Sequence, residues 1–282
     1  MNQKQDKYYI APPSHWPILG SLALLLMAGG FVMKINQLNM GGGILILGFL
    51  VLAFMLYGWF GAVIGESEGG LFNKQVDKSF RLAMGWFIFS EVMFFAIFFG
   101  ALFYARVLSV PWLSEGDTMS MLWPAFKGGW PSSGPTGQPF TPMEAWGLPA
   151  INTLILLSSG ATVTWAHWGL LKNKRSQLIL GLFMTVALGI SFIVLQATEY
   201  HHAYTELGLT LGSGIYGATF FMLTGFHGFH VTLGTIMLIV ILLRSMKGQF
   251  TPDHHFGFEG VAWYWHFVDV VWLLLFVFVY WL

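Results

Sequence analysis

The chain has 282 residues, of which 56% are hydrophobic and only 9% charged, with 13 basic side chains balancing 13 acidic ones. A soluble domain carries about a quarter charged residues, so this composition is that of an integral membrane protein, and the zero net charge argues against nucleic acid or an acidic partner. Because the chain contains no cysteine, disulfides, iron–sulfur clusters, thiolate-ligated haem and thiolate-bound copper are excluded.

The first sixteen residues, MNQKQDKYYIAPPSHW, are polar and lack a small-residue cleavage site behind a short apolar core, so they do not look like a removed signal peptide. A helical span needs about 20 apolar residues. Seven stretches qualify, at about 16–35, 41–64, 81–107, 147–171, 178–199, 215–243 and 260–281. They are too long and continuous for barrel strands. The expected fold is therefore an all-α integral membrane protein with seven transmembrane helices, forming a single membrane domain over 1–282. Trp16, Trp146, Trp168 and Trp281 sit near span ends, as interfacial aromatics do.

Within the third span, Glu91 lies ten residues beyond Arg81, about 15 Å along a helix and close to mid-membrane. Phe94, Phe95 and Phe98 follow at the spacing that shares its face. A carboxyl there is expected to be protonated at neutral pH unless a cation or water reaches it. Two readings stay open, a proton-exchanging or regulatory carboxyl and a neutral Glu bonded to a neighbouring helix.

Residues 108–146 follow as a Gly- and Pro-rich loop, expected to be external and to hold little regular structure. The fifth span ends in Glu199, Tyr200, His201 and His202, a single Glu-x-x-His spacing. A di-iron bundle needs two such motifs and two further carboxylates, and His254 and His255 lie on the other membrane side, so these are read as surface or interfacial polar residues.

The sixth span carries His227 and His230, three apart on one face. The seventh carries Glu259, His266 and Asp269 within an arc of roughly 80°, while Val271, Leu274 and Phe278 can face lipid. Intramembrane ionisable groups normally face protein or a polar cavity. Metal ligation by these five is one reading. The favoured one is an interhelical polar network clasping the sixth and seventh spans, with no metal, since Gly225 and Gly228 suit close helix approach. Arg81, Arg244 and Lys247 sit at headgroup level, where they serve as snorkelling anchors or hold lipid phosphate.

Lys4, Lys7, Lys74, Lys78, Arg81, Lys172, Lys174, Arg175, Arg244 and Lys247 fall on one side, against Lys34, Arg106 and Lys127 on the other. By the positive-inside rule the N-terminus is cytoplasmic and the C-terminus external. A stand-alone His/carboxylate iron enzyme such as a desaturase would need its His motifs on one membrane side, and here they are split. A transporter would show repeat symmetry or broken helix pairs, and neither is evident.

Taken together, HHFGFEGVAWYWHFVDVVWLLLFV, TGFHGFHV, NTLILLSSGATVTWAH, SEVMFFAIFFG, LQATEY and PSHWPILGS resemble, in order and over essentially the whole chain, subunit III of the haem–copper cytochrome c oxidases. Residues 59–107 are bacterial in style. The resemblance implies a seven-helix subunit whose first two helices lean away from the other five, with phospholipid bound in the cleft. It further implies a non-catalytic core subunit in an aerobic complex that passes electrons from cytochrome c to oxygen and pumps protons. Haem and copper would reside on the partner subunits, the catalytic subunit I and the copper-bearing subunit II, with no cofactor on this one. Glu91 matches the family's carbodiimide-reactive Glu, and the subunit's role would be to support proton uptake and protect the catalytic subunit. The implied location is the bacterial inner membrane, with the C-terminus periplasmic. One departure stands out: many members have Trp-Trp-Arg-Asp-Val where this chain has Trp59-Phe60-Gly61-Ala62-Val63, so lipid contacts of those charges do not carry over.

Overall fold

The computed structural model describes residues 8–282, so Lys4 and Lys7 of the basic side lie outside the described residues. Seven helices are long and apolar enough to cross a membrane. These are α1 (Trp16–Ile35), α2 (Gly41–Glu68), α3 (Lys74–Phe103), α4 (Leu148–Leu171), α5 (Arg175–Thr205), α6 (Gly214–Met246) and α7 (Phe256–Leu275). The number and order are those expected from the sequence, but several helices run beyond the apolar windows. α3 starts at Lys74 because Asn73 caps it, its side-chain oxygen accepting from the backbone N–H groups of Gln75 and Val76. Helical hydrogen bonding does not stop where hydrocarbon stops, so polar flanks continue the helix.

Sharp stops are equally local. Asn173 adopts a left-handed conformation after α4, and Lys174 N–H reaches back to Gly169 O. Gly248 does the same after α6, with Gln249 N–H donating to Arg244 O. The loop expected to be irregular holds more helix than its composition suggests. α3 continues through a π-helical turn, Tyr104–Ser109, into Val110–Trp112, and a short helix follows at Asp117–Leu122.

The chain forms two compact units, one ending at Phe80 and the other Arg81–Leu282. In the first, α1 and α2 form an antiparallel pair. Gly30 permits its closest approach, since a β-carbon there would collide with the Leu45 backbone.

The second unit is a five-helix bundle built on α7. Trp265, fully buried, sits between α5 and α6 at Gly189 and Gly234, where added β-carbons would lie 2.9 and 2.8 Å from its ring. Its indole N–H donates to Ser159 Oγ of α4 at 2.9 Å, and Trp272 N–H donates to Thr153 Oγ1 two turns further on. Val271, expected to face lipid, is 4% exposed and belongs to the core. A helix surrounded by four others has little lipid face, and only Val270, Leu273, Leu274 and Phe278 open outward on its apolar part. The Trp265→Ala variant is expected to lose about 3–5 kcal/mol of stability, and Trp265→Phe less, as measured by detergent-phase denaturation of the purified protein. Equal stability of Trp265→Ala and wild type would refute the wedge.

Candidate functional site

Glu91 of α3 meets His230 of α6, with Oε2 2.8 Å from Nε2. The other imidazole nitrogen, Nδ1, lies 2.7 Å from the Phe226 carbonyl. A carbonyl only accepts, so Nδ1 carries a hydrogen and points it backwards along α6. Nε2 therefore either receives the Glu91 proton or donates its own to the carboxylate. Both states place one proton between Glu91 and His230 and leave the pair neutral overall. The argument from depth alone treated the carboxyl as isolated; the structure supplies it with a titratable partner. Phe95 is buried with its ring centroid 5.1 Å from that of His230, while Phe94 lies 6.0 Å away and Tyr264 stacks at 6.3 Å. The aromatic shell expected from the Phe spacing is thus shared between Glu91 and its partner.

The five residues expected to clasp α6 to α7 separate instead into different pairs. Glu259, in the first turn of α7, binds Arg81 at 2.7 Å, where the positive helix end also favours an acidic group. His266 lies 3.6 Å from Asp269 on the same helix and contacts Thr164 of α4 at 3.2 Å. His227 is buried between the rings of Phe192 and Trp272. Among the described residues, neither of its ring nitrogens has a hydrogen-bond partner. The reason is helix rotation: α7 turns Glu259 toward α3 and Asp269 toward α4, and α6 turns His230 toward α3. A sequence arc constrains residues on one helix and says nothing of which neighbour stands opposite.

Glu199 corrects the reading as a surface or interfacial residue. It is fully buried, and Oε1 accepts from the Tyr280 hydroxyl at 2.6 Å. The π-helical end of α7, Phe276–Trp281, carries Tyr280 into the bundle. Gln196, one turn before Glu199 and also buried, was the available signal of an inward polar face. His202 bonds Glu206 at 3.2 Å rather than sharing a site with Glu199.

On the basic side, Arg81 and Arg244 are held within the bundle. Arg81 donates Nε–H to Glu259 at 2.9 Å, and Arg244 donates to Gln249 at 2.9 Å with its guanidinium 4.5 Å above the Phe250 ring. Arg175 donates to the Met246 carbonyl. Lys247 is exposed at the end of α6. Among the described residues, no group of three or more His, Cys, Asp or Glu is placed to hold a metal.

The family model described as Cytochrome c oxidase subunit III matches residues 6–282. The chain belongs to the cytochrome c oxidase subunit III family. Its relatives include cytochrome c oxidase subunit 3 of Dugong dugon, 44% identical over 283 residues, and of Hippopotamus amphibius, 43% identical over 285. That of Phoca vitulina is 43% identical over 282 residues. Each alignment covers 100% of this chain and 99% of the relative. The chain is thus a core, multi-pass membrane subunit of a cytochrome c oxidase complex, enzymatic as part of that assembly. The desaturase alternative has no support.

Truncation of Glu91 should expose the coupling in the pair. Glu91→Ala leaves His230 Nε2 unpaired and is expected to cost about 1–3 kcal/mol. Glu91→Gln, whose amide can still donate, should cost less. Thermal denaturation of the two variants checks this, and an Ala variant as stable as the Gln variant would show that the bond carries no weight.

Proposed function

We propose that this subunit braces the redox-bearing subunits I and II in the inner membrane of a bacterium and assists proton uptake through Glu91 and His230. The two compact units then act together as one membrane domain. The single observation that carries the proton role is the 2.8 Å Glu91–His230 contact, which holds one proton within an aromatic shell. A shared proton between two groups of different chemistry can be passed on and replaced without leaving a net charge in hydrocarbon. The positive-inside asymmetry supports a cytoplasmic N-terminus and an external C-terminus. Purification of the tagged chain from its native membrane should bring haem and copper with larger subunits. Recovery of the chain alone, with stoichiometric iron, would sink the proposal.

The assembled Glu91→Gln complex should keep its haem content but take up protons more slowly during turnover. Unchanged uptake kinetics would reduce the pair to an interhelical hydrogen bond.

Lipid is the second component of the proposal. Arg244 and Lys247 at the end of α6, with Arg81, stand where phosphate groups of bound phospholipid would lie. Arg244 is oriented by Gln249 and Phe250, which limits the entropy lost when it takes a phosphate. Arg244→Ala should retain less anionic phospholipid through purification, read by mass spectrometry of extracted lipid. Unchanged lipid content would leave Arg244 as a topological anchor.

A further inference from the structure

A groove of about 510 Å³ runs along the outer face of the five-helix bundle between α4 and α7. Its rim is hydrocarbon-like: Leu157, Val270 and Leu273 are all exposed. Its floor is not. Asp269 lines it with a side chain only 9% exposed, and among the described residues its Oδ1 has no hydrogen-bond partner. His266, beside it, has a side chain 46% exposed. Gly160 makes room for the carboxylate, because a β-carbon there would collide with Asp269 Oδ2.

Depth decides what can cover this floor. Asp269 lies thirteen residues from Phe256 and twelve from Trp281, so about 18–20 Å of helix separates it from either end. A lipid phosphate does not reach that level, and acyl chains offer no donor. An exposed imidazole and an unanswered carboxylate oxygen at mid-membrane therefore call for a protein side chain. The small residues Gly160, Ala161 and Thr164 on the α4 wall admit a close helix. A second copy apposed through the same face would set one Asp269 acceptor against another, so a different chain is the better match.

We propose that a transmembrane helix of a redox-centre-bearing oxidase subunit docks in this groove and donates a hydrogen bond to Asp269. The inference rests on membership of the oxidase complex and adds the face through which the subunit attaches. The small α4 wall sets how near the partner helix comes, and the acceptor-only floor sets its register through one hydroxyl, amide, indole or cationic side chain.

Photo-crosslinking in native membranes tests it. A photoreactive residue is placed at Val270, in the groove, and as a control at Phe183, an exposed position of α5. Position 270 should give an adduct with a haem- or copper-bearing subunit, identified by mass spectrometry, and position 183 should give lipid adducts alone. Adducts at 270 with lipid only, or with a second copy, would overturn the proposal. Asp269→Leu should raise dissociation of this subunit from the detergent-solubilised oxidase about 3- to 20-fold, the factor for one interhelical hydrogen bond in a membrane. Should that variant fold poorly, Ala161→Trp fills the groove from an exposed position and should release the subunit likewise. Retention of both variants at the wild-type level would refute docking here. Failure of the wild-type chain to co-purify with haem would instead refute membership of the oxidase.

Discussion

Trp265 holds the second unit together. Its ring occupies the space that Gly189 and Gly234 leave open, and its indole N–H is answered by Ser159. One side chain thereby fixes α7 against α4, α5 and α6. In lipid there is no water-driven force pressing helices together, so close packing and interhelical hydrogen bonds supply the association. A large ring set between two glycines, with its one donor satisfied, provides both. The rotation of α7 follows from it, and with that rotation the neighbours of Glu259, His266 and Asp269 are decided.

Every charge-capable group inside the bundle answers to the cost of placing such a group in hydrocarbon, and the solutions differ along the chain. Near the basic end, Glu259 is matched by a permanent cation, Arg81. At mid-depth, Glu91 is matched by His230, and one proton suffices for both. Toward the other end, Glu199 is matched by the hydroxyl of Tyr280. Only the Arg81 pair needs full charge separation, and it sits where water and headgroups are nearest. The Glu91–His230 pair can shift its proton with no change of net charge, which suits a part in proton handling. Asp269 is left with an unanswered oxygen on an outer face, which suits assembly with another chain.

Much of this was legible in the residues themselves. Runs of about 20 apolar residues mark spans because a hydrogen-bonded helix is the cheapest way to carry a backbone through lipid, and all seven appear in order. Glu91 stood out because a carboxyl ten residues inside a span is rare, and Phe94 and Phe95 do enclose its partner. The partner itself was not foreseen: His230 was assigned to a clasp with α7, yet it crosses to α3. Glu199 was placed at the surface because it ends an apolar run. Its burial depends on Tyr280, some eighty positions away, arriving on a π-helical turn.

By itself, then, the amino-acid sequence determined the medium, the number of spans, the polar stripe on the last helix and the family. These follow from local composition and periodicity, or from likeness over the whole length, and none requires knowing which helix lies beside which. Tertiary structure alone decided that Glu91 shares a proton with His230, that the stripe divides between Arg81 and the α4 groove, and that Val271 is core rather than lipid-facing. The physical reason is that a helix's rotation and neighbours are set by packing at residues such as Trp265, Gly189 and Gly234, brought together from three separate spans. That information is distributed over the chain and becomes visible only when the helices meet.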